Sequence, residues 1–335
     1  MTVLITGAAG FIGYSVARRL LAAGESVIGL DNLCPYYDVR LKQARLDLLQ
    51  QSPGFRFVPA DIADRPAMEE LFARERFDSI VHLAAQVGVR YSLEQPLSYV
   101  DSNLVGFAHI LEGARAQGVR HLLFASSSSV YGANRKLPFS ETDNVDHPIT
   151  LYAATKKANE LTAHCYAHLY GLPCTGLRFF TVYGPWVRPD MALFKFAVAI
   201  TSGSKLPLFN RGQMVRDFTY VDDVVEAVIR LIPLAPAAGA SESGAPFSIF
   251  NIGSGRPVEL LDYVRALEQA FGKQAELDLL PMQPGDMAAT IADVSRLEQA
   301  IGYRPTTTIE QGVAKFAQWF QAFQPPVSPA GGKAD

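Results

Sequence analysis

Continuous apolar runs of strand length alternate with amphipathic helical stretches through the first half of this 335-residue chain. Residues 2–6, 26–30, 55–59, 79–83 and 121–125 read as strands, and residues 11–23, 66–74 and 99–117 as helices. On the first helix Phe11, Val16, Leu20 and Leu21 share the apolar side. Strands that are apolar along their whole length are covered on both faces, and strands alternating with helices pair in parallel. Right-handed crossovers then give an α/β fold with a Rossmann-like, doubly wound parallel sheet. A further helix over 151–170 leads to a strand over 174–179.

Beyond Tyr183 the pattern loosens, because Pro185, Pro189, Pro207 and several glycines break it into short elements. Helical spacing persists over 191–202, 221–231 and 258–271. These pieces predict a smaller C-terminal α/β region built over the carboxyl edge of the sheet. Residues 235–246, rich in Ala, Gly, Ser and Pro, read as a mobile loop, and 325–335 as a flexible tail.

Several function classes are excluded early. Thirty Lys and Arg against 33 Asp and Glu give a net charge of −3, which does not suit a nucleic-acid binder with a general basic surface. No apolar run approaches the ~18 residues of a membrane span. A strand that starts at Thr2 leaves no room for a signal peptide. Cys34, Cys165 and Cys174 are too few and too odd in number for a disulfide framework, so a cytoplasmic setting is expected. Cys165 and Cys174 are expected to be buried packing residues. No Cys/His cluster has metal spacing, and His164 with His168, one turn apart, lacks a third ligand, so no metal is expected. His82, in an apolar strand, reads as a satisfied core histidine.

The turn between the first strand and first helix reads Thr6-Gly7-Ala8-Ala9-Gly10-Phe11-Ile12-Gly13. Glycines at 7, 10 and 13 allow a tight turn, close approach of backbone to a pyrophosphate, and close packing of helix on sheet. The helix N-terminus adds free N–H groups and a partial positive charge. Asp31, followed by Asn32, ends the second strand 18 residues after Gly13. A carboxylate there accepts both ribose hydroxyls of NAD and repels the extra phosphate of NADP. Asp61-Ile62 after the third strand and Leu83-Ala84-Ala85 after the fourth are candidates to cover the adenine and to let backbone pass close to the cofactor.

Tyr152 and Lys156 lie four residues apart on a predicted helix and so share one face. A free tyrosine titrates near 10. Lowering that by about 3 units requires about 4 kcal/mol of differential stabilisation, which a nearby ammonium and a positive nicotinamide supply in a desolvated cleft. Upstream, Ser126-Ser127-Ser128-Ser129-Val130-Tyr131-Gly132 follows the strand at 121–125. Hydroxyls there stand at the carboxyl edge of an open parallel sheet, where ligands bind.

This combination resembles the extended short-chain dehydrogenase/reductase superfamily along the whole chain. The stretches Arg178-Phe179-Phe180-Thr181-Val182-Tyr183-Gly184-Pro185 and Arg216-Asp217-Phe218-Thr219-Tyr220-Val221-Asp222-Asp223 resemble its nucleotide-sugar branch. Within that branch three stretches resemble UDP-glucuronate 4-epimerases: Gly88-Val89-Arg90-Tyr91-Ser92-Leu93-Glu94, Gly184-Pro185-Trp186-Val187-Arg188-Pro189-Asp190-Met191, and Leu280-Pro281-Met282-Gln283-Pro284-Gly285-Asp286. One departure is Val187, where the family has glycine.

The resemblance implies NAD as cofactor and a UDP-sugar as partner. It implies that Tyr152 removes the sugar O4 proton, that Ser127 relays it, and that Lys156 holds the nicotinamide ribose and tunes Tyr152. Sugar 4,6-dehydratases carry Asp-Glu where this chain has Ser128 and Ser129, and UDP-glucuronate decarboxylases carry Glu at the position of Ser129. Hydroxyls at those positions do not repel a uronate carboxylate as a side-chain carboxylate would, and Ser127, Ser128 and Thr181 are expected to anchor it. Arg188 and Arg216 are candidates for the diphosphate. Arg90 is a third basic candidate near the sugar, or a partner for Glu94. Gln283 stands where UDP-glucose epimerases have arginine. Phe209 and Asn210 are candidates for the uracil, with residues 206–209 also readable as a buried strand.

The resemblance further implies a domain of residues 1–183 that binds NAD and carries the Tyr/Lys helix, and a region of 184–324 that mainly binds the nucleotide sugar. It implies a homodimer in which helices 99–117 and 151–170 form a four-helix bundle across a two-fold axis. UDP-glucose 4-epimerase and UDP-glucuronate decarboxylase remain open as alternatives, as does an NAD-binding regulator without catalysis.

Overall fold

The computed structural model describes residues 1–88, 91–283 and 287–325. The first half runs β1 (Thr2–Thr6), α1 (Phe11–Ala22), β2 (Ser26–Asp31), α2 (Val39–Gln50), β3 (Phe55–Pro59), α3 (Arg65–Arg74) and β4 (Ser79–His82). It continues with α4 (Tyr91–Glu94), α5 (Pro96–Tyr99), α6 (Gly106–Gln117), β5 (His121–Ser127), α7 (Leu151–Tyr170) and β6 (Cys174–Phe179). Then follow β7 (Thr181–Tyr183), α8 (Ala192–Ser202), β8 (Leu206–Leu208), β9 (Val215–Tyr220), α9 (Val221–Leu231), β10 (Phe247–Ile252) and β11 (Pro257–Glu259). The chain closes with α10 (Leu260–Phe271), β12 (Leu277–Leu279), β13 (Ala289–Thr290), α11 (Ser295–Ile301) and α12 (Ile309–Phe323).

Seven parallel strands form the main sheet in the order β3-β2-β1-β4-β5-β6-β10. The chain reverses direction across the sheet between β1 and β4, which opens a crevice at their carboxyl ends. Successive side chains on a strand point to opposite faces. Val3 and Ile5 accordingly enter the apolar layer under α1, while Leu4 enters the layer that holds Met68, Phe72, Phe107 and Leu111. This two-sided burial is why the inner strands read as apolar runs, whereas the edge strand β3 has no fully buried residue and exposes Arg56. The first layer continues without a gap into the C-terminal region through Phe218, Tyr263, Phe316 and Phe320.

Four departures from the sequence reading have physical reasons. The alternation gave no sign of α2, because its buried face carries Lys42 and Arg45 beside Leu41, Leu46 and Leu49, which blurs the apolar stripe. The helix expected over 99–117 is interrupted by a π-helical turn at Val100–Val105. The main sheet gains its seventh strand, β10, from the C-terminal half, and α9 packs against α1. Val258, expected in a helix, lies in β11, which pairs antiparallel with β9 before α10 begins.

Cys174 is buried as expected, but Cys165 is exposed on the outer side of α7. Residues 235–246 are described as a series of turns, and 326–335 of the expected tail lie outside the described residues. Among the described residues no helix is long and apolar enough to cross a membrane.

Two histidines are built into the sheet. His82 Nδ1 hydrogen-bonds Thr6 Oγ1 at 2.8 Å, and burial, then the Lys156 charge, push its pKa down to about 3. His121 contacts Ile232 O and Thr175 Oγ1, and burial pushes its pKa down to about 4. Both values are depressed below the ordinary 6.5, so between these limits the unfolded chain binds more protons than the fold. The stability these two histidines contribute is therefore full above about pH 6.5 and is lost as the solution is acidified toward pH 4, by at most about 1.4 kcal/mol per pH unit for each. Thermal melting across this range is expected to show the fall, and His121→Gln to make it shallower.

Candidate active site

A cleft of about 920 Å³ opens at the carboxyl ends of β1, β2, β4, β5 and β6. Its outer half is built by the turn after β1. Gly7 has φ +72°, and a Cβ there would lie 2.8 Å from Ala84 N; a Cβ on Gly13 would lie 2.1 Å from Gly7 O. Turn, helix and the end of β4 are thus in backbone contact. The N-cap of α1 is Gly10, and no side chain caps the helix, so its first amides remain available to an anion.

Asp31, at the end of β2, is buried; it accepts from Ala9 N at 3.1 Å and Leu33 N at 2.8 Å and has Lys42 Nζ 3.6 Å away. Asn32 Nδ2 donates to Asp61 Oδ2 at 2.9 Å, linking the ends of β2 and β3. Leu83 N and Ala84 N donate to Thr6 Oγ1. Phe11, Ile12, Asp61, Ile62, Leu83, Ala84 and Ala85 all line the cleft. A glycine cradle that excludes any Cβ, an uncapped helix N-terminus and a carboxylate at the next strand end fit a dinucleotide.

The inner half carries the reactive groups. Ser126 and Ser127 are the last residues of β5, and Ser128–Tyr131 forms a 3₁₀ turn. Ser126 Oγ donates to Glu160 Oε1 at 2.6 Å, and Glu160 forms a buried ion pair with Arg178 at 2.8 Å. Ser127, Ser128 and Ser129 line the cleft with Tyr152, Lys156 and Thr181. Burial pushes the Tyr152 phenol above its ordinary value; a hydrogen bond with Ser127 and then the Arg188 charge oppose this. Burial pushes the Lys156 ammonium down to about 8. Lys156, one turn along the helix from Tyr152, donates from Nζ to Ala125 O at 2.9 Å.

Toward the C-terminal region the cleft is lined by Pro207, Phe209, Met214, Arg216, Phe218 and Leu260. The strand β8 ends at Leu208, which leaves Phe209 facing the cleft. Asn210 instead takes a left-handed conformation and donates to Gln213 O, so it does not line the cleft. Gln283 is half-buried and also off the cleft lining. Arg216 donates to Val215 O and Ala288 O. Arg188 is not a surface residue: it lines the cleft and forms two bonds to Asp190, of 3.0 and 3.1 Å. Val187 is fully buried and has no left-handed φ, so glycine is not required there. Arg90 lies outside the described residues.

Other residues at the site escaped sequence reasoning. Asn103, in the π-helical turn, accepts from Gln86 N at 2.8 Å and donates to Thr155 Oγ1 at 3.0 Å, joining the loop after β4 to the residue before Lys156. An asparagine in an apolar helical run was the only available signal. Tyr36 and Asp190, joined by a 3.2 Å hydrogen bond, line the cleft from two loops with no local pattern of their own. His164 and His168 stack on α7, and among the described residues no group of three His, Cys, Asp or Glu could hold a metal.

Residues 3–253 match the NAD dependent epimerase/dehydratase family. The chain is 57% identical over 332 residues to an uncharacterised 37.6 kDa protein of Escherichia coli O111:H-, covering 96% of this chain and 99% of that one. It is 50% identical over 330 residues to a probable UDP-glucuronate 4-epimerase of Rhizobium meliloti, covering 96% and 97%. The crystal structure of UDP-glucuronic acid 4-epimerase from Bacillus cereus, in complex with UDP-glucuronic acid and NAD, superposes with a TM-score of 0.87 at 30% identity, covering 96% of this chain and 100% of that one.

The glycine cradle yields a direct test. Gly13→Ala sets a methyl group against Gly7 O and forces the turn apart, lowering stability by about 1–3 kcal/mol. The variant is expected to lose most of its NAD, measured as nucleotide released from the purified, denatured protein.

Proposed function

This chain belongs to the NAD dependent epimerase/dehydratase family, and from that premise we propose that it interconverts UDP-glucuronate and UDP-galacturonate at C4 through a transient 4-keto sugar. The observation that carries the reading is the hydroxyl shelf of Ser127, Ser128 and Ser129 beside Tyr152. The carboxylate that does line this part of the cleft, Asp190, is already paired with Arg188.

NAD, the cofactor of this family, supplies a reversible hydride acceptor when bound, so oxidation at C4 and its reversal cancel. Gly7, Gly10, Phe11, Ile12 and Gly13 would hold its pyrophosphate, Asp31 with Asn32 its adenosine ribose, Asp61 and Ile62 its adenine, and Leu83, Ala84 and Ala85 the passage of backbone beside it. Lys156 would hold the second ribose. Tyr152 takes the O4 proton, with Ser127 bonded to it as the relay. Only the phenolate can accept that proton. Burial favours the phenol, Ser127 and Arg188 oppose it, and the Lys156 ammonium with the positive nicotinamide of bound NAD would tip the balance to the phenolate. Arg216 and Arg188 hold the diphosphate, and Phe209 stacks on the base.

The chemistry explains the shelf. Oxidising C4 of a glucuronate makes a β-keto acid, which loses carbon dioxide when the C5–C6 bond aligns with the carbonyl π system. Ser127, Ser128 and Thr181 donate hydrogen bonds to the C6 carboxylate and hold it out of that alignment. Ser128 and Ser129 also leave no acid/base pair for eliminating water.

The same reading assigns residues 1–183 mainly to NAD and 184–324 mainly to the nucleotide sugar. It places the protein in the cytoplasm, in keeping with three free cysteines. It also makes the protein a homodimer, with α6 and α7 and their two-fold mates forming a four-helix bundle. Val105, at the start of α6, and Leu161, on α7, 42% and 55% exposed, are apolar side chains that such a bundle would cover.

Two assays, NMR and sedimentation, check this reading. NMR of UDP-glucuronate incubated with the holoenzyme shows the C4 epimer, with no pentose and no lasting 4-keto sugar. In the same assay Tyr152→Phe lowers the rate about 10²–10⁴-fold, and Ser128→Ala with Thr181→Ala weakens binding and releases pentose. A neutral-sugar epimerase would instead leave the uronate unchanged and convert UDP-glucose. Sedimentation at micromolar concentration shows a dimer, and Leu161→Glu shifts it to monomer.

A further inference from the structure

Among the described residues Arg45 is the largest fully buried side chain, and its charge meets no carboxylate within ion-pair distance. Its acceptors are all neutral. Nη1 donates to Ala9 O at 2.8 Å and to Tyr37 OH at 2.7 Å, and Nη2 donates to Trp186 O at 2.6 Å. The guanidinium carbon lies 5.7 Å from the centre of the Tyr37 ring. A buried cation without a counter-charge is costly, offset here only by hydrogen bonds to neutral acceptors, so what those bonds hold in place is informative.

The three acceptors belong to three different parts of the cleft. Ala9 is in the turn after β1, and its own N–H donates to Asp31. Tyr37 is in the segment that leaves β2. Trp186 is two residues before Arg188, in the loop that brings Arg188 into the cleft. The Trp186 backbone has φ 68°, a left-handed conformation rare for a bulky residue. Such a conformation persists only where its surroundings hold it. Its ring is packed by Tyr14, Trp319 and Phe323 at centroid distances of 5.5, 5.2 and 4.5 Å, and its carbonyl is held by Arg45. A second tie, Tyr36 OH to Asp190, fixes the far end of the same loop to the same segment.

We propose that Arg45 is a positioning residue that fastens the Arg188 loop to the dinucleotide turn, so that a bound UDP moiety and bound NAD hold one another in place. The inference rests on reading the turn at 7–13 as the NAD site and the cleft as a UDP-sugar site. The planar fork of a guanidinium reaches three acceptors at fixed angles, which a lysine ammonium does not reproduce. A ligand that fixes the loop through Arg188 fixes Trp186 O, thereby Arg45, and thereby Ala9. The coupling is reciprocal, as any coupling between two binding equilibria is.

The test measures exchange of bound NAD for isotope-labelled NAD in the holoenzyme, with and without saturating UDP. Saturation is followed by tryptophan emission, because Trp186 and Trp319 are the two tryptophans of the chain. In the unaltered protein UDP is expected to slow exchange about 10-fold. In Arg45→Met UDP still binds, more weakly, and the ratio falls close to one; Arg45→Lys restores part of it. A merely structural role would speed exchange equally with and without UDP and keep the ratio. An unchanged ratio in Arg45→Met, or a ratio of one in the unaltered protein with UDP bound, overturns the inference alone. No UDP binding to the unaltered protein overturns it together with the nucleotide-sugar reading. If Arg45→Met does not fold, Tyr37→Phe decides: a ratio at least halved supports the inference, and an unchanged ratio overturns it.

Discussion

Backbone touches backbone where β1 turns into α1, and the cleft exists because of that contact. With a side chain at Gly7 or Gly13, the helix could not sit against the sheet while the end of β4 passes alongside. The same closeness sets the uncapped amides of α1 at the mouth of the crevice and fixes how far apart β1 and β4 open. Everything deeper in the cleft is measured from this point, since α7 and its tyrosine reach the site across β4 and β5.

The deeper wall is held by polar groups instead of by close-packed glycine. Glu160 receives Ser126 and Arg178 at once, and Arg178 also reaches the Tyr131 hydroxyl, which donates to Asn251. This chain of bonds ties β5, α7, β6 and β10 together directly behind the serines. Asn103 does the equivalent work on the other side, between the loop after β4 and α7. Buried networks of this kind rigidify a site when every member is satisfied. Their rigidity is what lets short hydroxyl side chains act as a shelf.

The legible parts of the molecule were those whose residues obey a local rule. Strands buried on both faces, the glycine turn, and Tyr152 with Lys156 on one helix face all follow from spacing, and β1, β3, α7, β6 and α9 run as the spacing predicts. The illegible parts break such rules for tertiary reasons. The helix α2 is hidden because two of its buried residues, Lys42 and Arg45, are charged. The strand β10 is invisible as a member of the main sheet because nothing local tells a strand which distant edge it will join. Cys165 reads as a packing residue by type, yet its place on the helix turns it outward. The environment of Tyr152 depends on Arg188, 36 residues further along the chain, and no periodicity links them.

That late-arriving strand has a consequence for synthesis. All six residues of β6 are buried in the finished sheet, and one of its two neighbours, β10, is made of residues 247–252. While a ribosome is still translating the intervening stretch, β6 offers an open row of N–H and C=O groups flanked by apolar side chains. An edge of that kind recruits whatever extended chain is near. A nascent polypeptide halted before residue 247 therefore carries an unpaired sheet edge that the finished protein conceals.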